Sequence, residues 1–186
     1  MNQGHLAFCA SPEWRAMIEG TILPRALEGV DLGSRVIEIG PGPGLTTDVL
    51  RRRVDHLTVV ELDTGLASAL SARLGGSSVT VVNGDATSLG FPDGSFSGAV
   101  SFHMLHHIPT ATAQDAALAE LARVLVPGGV LTAADGVESE GSRAFHDGDV
   151  YNPIDPDDLE RRLIAAGFRT ATVELGELGW FCTASS

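Results

Sequence analysis

Three of the chain's six histidines, His103, His106 and His107, fall within five consecutive positions. An imidazole titrates near neutral pH, so such a group can take a proton from a substrate or ligate a metal. Glycines stand at every second position of Gly40-Pro41-Gly42-Pro43-Gly44, and the carboxylates Glu38, Glu61 and Asp85 recur around that run. Glycine adopts backbone angles that side chains forbid and lets a ligand approach the main chain closely. A carboxylate at a strand end can accept hydrogen bonds from two ribose hydroxyls at once. The spacing narrows the choice of ligand. A dinucleotide fingerprint runs G-x-G-x-x-G, whereas position 45 is Leu and this run is G-x-G-x-G. No Lys-Ser/Thr pair follows it, so it is not a Walker-type phosphate loop.

The elements that must position these residues alternate in type. Val36-Ile37-Glu38-Ile39 reads as a short buried strand, and Leu45 to Leu50 as the opening of a helix. Further strands are expected over 57–61, 79–83, 97–102 and 129–134, each apolar on both faces as a buried parallel strand should be. Leu66, Leu70 and Leu74 share one helical face between them; Leu118, Leu121, Ala122 and Leu125 share another. Asp63 is read as the cap of the helix beginning near Thr64. Ser11-Pro12 starts an N-terminal helix that Pro24 is expected to interrupt, and Asp155-Pro156-Asp157-Asp158 starts a helix that Gly167 ends. Two β-like runs, 168–175 and 179–184, close the chain. Such alternation implies an open α/β sheet, mostly parallel, with ligands beyond the carboxyl ends of its strands. We expect one domain over 1–186, with residues 1–30 as a helical cap and 31–186 as the core.

Five motifs in order resemble one family. Glu38 with the glycine run resembles motif I of the class I, Rossmann-like S-adenosylmethionine-dependent methyltransferases. Val59-Val60-Glu61-Leu62-Asp63 is similar to the end of that family's second strand, Asn83-Gly84-Asp85-Ala86 to the end of its third, and Ser101-Phe102-His103-Met104-Leu105-His106-His107-Ile108 to its fourth strand and following loop. Arg123-Val124-Leu125-Val126-Pro127-Gly128-Gly129 is similar to the approach to strand five. The resemblance implies a three-layer, doubly wound sheet of seven strands ordered 3-2-1-4-5-7-6, the seventh antiparallel. It also implies S-adenosyl-L-methionine as cofactor and S-adenosyl-L-homocysteine as product. By the resemblance Gly40, Pro41, Gly42 and Gly44 would receive the methionine part, Glu61 the ribose hydroxyls and Asp85 the adenine amino group. The backbone of Ala86 would serve the adenine ring, with Leu62 and Leu89 covering its faces. Phe102 and His103 would offer backbone contacts to the cofactor's amino group, and Glu38 would reach that group through water or orient the loop. His103 and His106 are the candidate bases, and no metal is expected.

The remaining features limit the partners. A net charge of −12 with only 12 Lys and Arg disfavours nucleic acid, which is bound mostly through cationic contacts to phosphate. Arg51-Arg52-Arg53 reads as the solvated end of a helix. No apolar run approaches a membrane span, and the N-terminus lacks a secretory pattern, so a cytoplasmic location with reduced Cys9 and Cys182 is expected. The additions to the sheet, 1–30 and 136–154, carry His5, Phe8, Trp14, Phe145, His146 and Tyr151 and could fold over the strand ends as a lid. Their modest size favours a small-molecule acceptor. Two other readings stand beside this one. The ribosomal RNA adenine dimethyltransferases share a similar glycine run but carry an Asn/Asp-Leu/Pro-Pro-Tyr/Phe motif where this chain has Ser101-Phe102-His103-Met104. A non-catalytic S-adenosylmethionine-binding protein would keep the same cofactor residues. A nicotinamide oxidoreductase is disfavoured by the glycine spacing and by the single tyrosine, Tyr151, with Asp155 four residues on.

Overall fold

The computed structural model describes residues 2–186. Its seven strands are β1 (Arg35–Ile39), β2 (His56–Glu61), β3 (Val79–Asn83), β4 (Phe96–Phe102), β5 (Leu125–Asp135), β6 (Thr170–Gly176) and β7 (Gly179–Ser185). They form one sheet in the order β3-β2-β1-β4-β5-β7-β6. β1 to β5 pair in parallel, and β7 runs antiparallel to both β5 and β6. This is the expected topology. It places the carboxyl ends of β1 and β4 side by side, where the connections leave in opposite directions and a crevice opens.

The helices are α1 (Gln3–Cys9), α2 (Pro12–Met17), α3 (Leu23–Ala26), α4 (Leu45–Leu50), α5 (Thr64–Leu74), α6 (Ala111–Val124), α7 (Glu140–Phe145) and α8 (Pro156–Ala166). Alternation along β1 explains why both sheet faces are covered. Ile37 and Ile39 join a core with Leu118 and Leu121 of α6 and Leu159 and Leu163 of α8. Val36 turns to the other face and packs with Ile22, Leu23 and Leu50. Asp63 caps α5 by accepting from Leu66 N, Ser11 caps α2, and Gly167, at φ 113°, ends α8 as expected.

Two expectations change. Pro24 does not interrupt the first helix. A π turn over Ile18–Ile22 links α2 to α3, with Leu23 N–H donating to Ile18 O. The wider turn accommodates a proline that has no N–H to give and a ring that crowds the preceding turn. β5 begins at Leu125 rather than near Gly129, but its register with β4 shifts between Phe96 and Gly98. Pro127 and Gly128, the latter at φ 81°, account for that irregularity.

Candidate active site

β1 ends in a turn whose three glycines all lie in the left-handed region, at φ 63°, 55° and 87° for Gly40, Gly42 and Gly44. A Cβ on Gly40 would run into the side chain of Met104, and one on Gly44 into Leu70 and Arg73. The turn is tied to the next strand by Glu61 at the tip of β2. Its two oxygens accept from Gly42 N and Asp63 N, each at 2.9 Å. Each oxygen accepts one such bond, and an ionised carboxylate has about four lone-pair sites, so Glu61 can still receive two donors. Glu38 lies behind the turn and is almost fully buried. It accepts from Thr46 Oγ1 and, at 2.7 Å, from Thr47 Oγ1, which locks the start of α4 onto β1. Burial raises its carboxyl to about 7, against the opposing pull of the two threonine hydroxyls. Asp85, past β3, spends one oxygen on Thr87 N and Thr87 Oγ1, both at 2.8 Å, in a local turn.

The tip of β4 carries the second half of the site. His103 has φ 52°, the one non-glycine residue with positive φ among those described, a conformation that persists only where the surroundings impose it. The imposing contacts are its N–H bond to Ala134 O at 2.8 Å and the edge of Trp14, whose ring centroid is 4.9 Å away. His103 Nδ1 stands 3.9 Å from Asp135 Oδ1. Asp135 ends β5 and is buried; its oxygens accept from His106 Nδ1 at 2.5 Å, His106 N at 3.1 Å and Gly136 N at 2.8 Å. Burial alone would raise its carboxyl. The neighbouring His106 and His103 and these donors instead hold it below the ordinary carboxylate range.

Both halves open into one cavity of about 1240 Å³. Its floor includes Gly40, Gly42, Glu61, Asp85 and His103, and its roof comes from α1, α2 and the segment around α7, with Phe8, Trp14 and Phe145. The roof is pinned together. Asn2 N donates to Asp149 at 2.6 Å, and Asn2 Nδ2 donates to the carbonyls of Phe145 and Asp147. A drug-sized ligand occupies a pocket of roughly 300–1,000 Å³, so this space admits a nucleoside cofactor with room beside it.

Comparison with known proteins decides the family. Residues 37–133, slightly more than half of the chain, match the model described as "Methyltransferase domain". The chain belongs to this family. An uncharacterized methyltransferase of Mycobacterium tuberculosis is 30% identical over 119 residues, 63% of this chain and 58% of that protein. Ribosomal RNA small subunit methyltransferase A of Bordetella petrii is 46% identical over 59 residues, 32% of this chain and 22% of that protein. The chain thus matches less than two thirds of the length of either relative. A SAM-dependent methyltransferase structure from Aquifex aeolicus superposes with a TM-score of 0.76 at 17% identity, covering 100% of this chain and 98% of that one. The fold is that of the class I, S-adenosylmethionine-dependent methyltransferases, and S-adenosyl-L-methionine is their cofactor.

Against that cofactor the donor set fits. Glu61 faces the cavity with lone pairs to spare, and Leu62 beside it is 69% exposed, a large apolar side chain with no protein surface to cover it. Gly40, Pro41, Gly42, Asp85, Ala86, Phe102 and His103 all line the cavity. Gly44 and Glu38 do not; they shape the turn and the helix start from behind it. Leu89 is core, packed among Phe96, Leu118 and Leu121 rather than against the cavity. His106 is buried, with one ring nitrogen given to Asp135, while His107 lies beside it with Nδ1 facing Val150 O at 3.2 Å. Asp135 escaped the sequence reading, although a lone acid closing a strand of Val, Leu, Thr and Ala is a visible signal. The meeting of His5 and His146 with His106 and His107 has no sequence signal, since it depends on how the two additions close.

Proposed function

We propose that the chain transfers the methyl group of S-adenosyl-L-methionine to a small-molecule acceptor, with His103 as the general base. One observation carries this reading: the cofactor corner and a cavity-lining histidine at the tip of β4 share one roofed space. The bound cofactor supplies an activated methyl on sulfur. The residues of the chain supply alignment and proton removal. The Glu61 carboxylate and the glycine turn fix the adenosyl and methionine ends, and the roof of Phe8, Trp14 and Phe145 excludes water and holds the acceptor. Alignment of this kind is worth roughly 7–11 kcal/mol in well-oriented reactions. Burial holds the His103 imidazole below its ordinary range, with Asp135 pulling the other way, so the ring is neutral at pH 7 and can accept a proton. His106 acts as a positioning residue, because its Nδ1–H is committed to Asp135.

No nucleic acid and no membrane partner enter this reading. The −12 charge opposes phosphate, and among the described residues no helix is long and apolar enough to cross a membrane. The test is formation of S-adenosyl-L-homocysteine from labelled cofactor across panels of small hydroxyl, amine and thiol acceptors, with ribosomal RNA as a parallel arm. Label in a small molecule supports the proposal. Label in RNA overturns the acceptor class, and cofactor binding with no transfer to any arm leaves a non-catalytic binder.

A further inference from the structure

Four histidines from three separate segments meet at one end of the cavity: His5 of α1, His106 and His107 of the turn after β4, and His146 just past α7. One ring nitrogen from each lies within 4.8 Å of those of the other three. The hydrogen bonds on the far sides of the rings assign their tautomers. Nδ1 of His106 faces Asp135 Oδ1 at 2.5 Å, and Nδ1 of His146 faces Ser142 O at 2.6 Å. Nδ1 of His107 faces Val150 O at 3.2 Å, and Nδ1 of His5 faces Asp149 Oδ2 at 3.4 Å. Carboxylate and carbonyl oxygens only accept, so all four Nδ1 atoms must carry the proton. In the neutral form of each ring, the form that ligates a metal, Nε2 is then the free lone pair.

Lone pairs so placed call for a proton or a metal cation among them. Nε2 of His106 and Nε2 of His146 face each other at 3.1 Å in the buried centre of the group. Two acceptors at that distance repel unless a proton or a metal lies between or beside them. Nε2 of His107 is buried with no hydrogen-bond partner, a group that is costly to desolvate unless something else engages it. Neutral imidazoles whose second nitrogen donates to a carboxylate or carbonyl are the form in which histidine ligates a metal, and that outer contact fixes ring orientation and raises basicity.

We propose that His5, His106, His107 and His146 form a four-histidine binding site for a late first-row divalent metal, with zinc as the intended ion. Four nitrogen donors suit zinc's tetrahedral preference and leave no open position, so the ion is structural. A tetrahedral site at the usual Zn–N length needs ligand nitrogens roughly 3.3 Å apart. The His106–His146 pair already stands near that spacing, and the widest pair must close by about 1.5 Å. The metal would clamp α1 and the α7 segment onto the turn that follows β4, closing the roof over the acceptor end. Sequence proximity alone would make the cluster His103, His106 and His107. The geometry leaves His103 outside it, against Trp14, and recruits His5 and His146 instead. The site is independent of which acceptor the protein methylates.

The experiment uses the full chain prepared without a polyhistidine tag, stripped with chelator, and titrated separately with zinc and cobalt(II). The expected result is one zinc per chain by elemental analysis, tetrahedral d–d absorption with cobalt, and a melting temperature raised by about 5–10 °C at zinc a hundredfold above its dissociation constant. His5→Ala and His146→Ala should each cost tenfold or more in zinc affinity, while His56→Ala, at an exposed residue that opens β2 and is not part of the cluster, should bind as the parent does. Stripped chain that still binds S-adenosyl-L-homocysteine but takes up neither metal overturns the proposal, as does equal zinc affinity in the His5 and His146 variants. Zinc uptake by a chain that transfers no methyl group would leave the metal site standing and remove only the catalytic reading.

Discussion

Replacing Glu61 tests whether the tip of β2 holds a ribose. Its carboxylate already accepts Gly42 N and Asp63 N at 2.9 Å, and those bonds keep the glycine turn against β2. Two further hydrogen bonds from ribose hydroxyls to a charged acceptor have a gross worth of roughly 1.5–3 kcal/mol each. Water refills part of the space in Glu61→Ala, so the net loss should be about 1.4–2.8 kcal/mol, or ten- to hundredfold in cofactor affinity. The same substitution strips an acceptor from two backbone donors, and loosening of the turn could mimic that loss. A thermodynamic cycle separates the two effects. S-adenosyl-L-homocysteine and its 2′-deoxy analogue are titrated calorimetrically into parent and variant, and the coupling between side chain and hydroxyl is read from the four values. The parent should penalise the deoxy compound, and Glu61→Ala should scarcely distinguish the two. Unchanged affinity for S-adenosyl-L-homocysteine, or an equal deoxy penalty in both proteins, refutes the ribose assignment.

Other consequences can be checked with the same material. His103→Ala should lower turnover by about 10²–10⁴ at saturating cofactor while calorimetric affinity for S-adenosyl-L-homocysteine changes by only a few-fold; undiminished turnover would show that His103 is not the base. Glu38 binds its proton more tightly folded, at about 7, than unfolded, at 4.5. Its contribution to stability is therefore full below pH 4.5 and lost as pH rises through 7. The loss should total about 3 kcal/mol, and denaturant melts of Glu38→Gln against the parent from pH 4 to 8 should isolate it. Gly40→Ala demands a left-handed alanine and pushes a methyl into Met104, so melts should show a loss of about 1–3 kcal/mol together with weakened cofactor binding.

The sheet could be read from the sequence because its information is local. Val36 to Ile39, Leu57 to Glu61 and Gly98 to Phe102 are short apolar runs bounded by turns, and their order along the chain, with the family resemblance, gave the topology that the structure has. The candidate corner was legible for the same reason: Gly40, Gly42, Glu61 and Asp85 each sit within three residues of a strand end. Pro24 misled because the rule that proline ends helices assumes α geometry, and the π turn before it relaxes that rule. α1 falls inside the expected helical cap but has no periodic signal of its own, and α7 is a helix the sequence does not announce. Each is six or seven residues long, too short for a periodic apolar face, and each is held by tertiary contacts such as Asn2 with Asp147 and His5 with Phe145. The histidine group lies beyond local reading altogether, since His5 and His146 are 141 positions apart.

Asp135 explains why the roof closes where it does. The register of β5 against β4 and β7 places this carboxylate at the carboxyl end of an interior strand, opposite Trp180 and one step past the Phe102–Ala134 pair. A carboxylate buried there without donors would be untenable, so the chain leaving β4 must bring N–H groups to it. It does so by folding Leu105–His107 into a 3₁₀ turn, whose His106 gives both its backbone and its ring N–H. Gln114 Nε2 and Asn152 brace that turn from outside, the first donating to Leu105 O and the second to Ile108 O. With the turn so fixed, His106 and His107 meet His5 of α1 and His146 beside α7. The strand tip thereby sets the position of the roof. On the proposed reading, cofactor binding stays with the rigid sheet, and the acceptor end is built from short segments that Asn2 and the four imidazoles bring together.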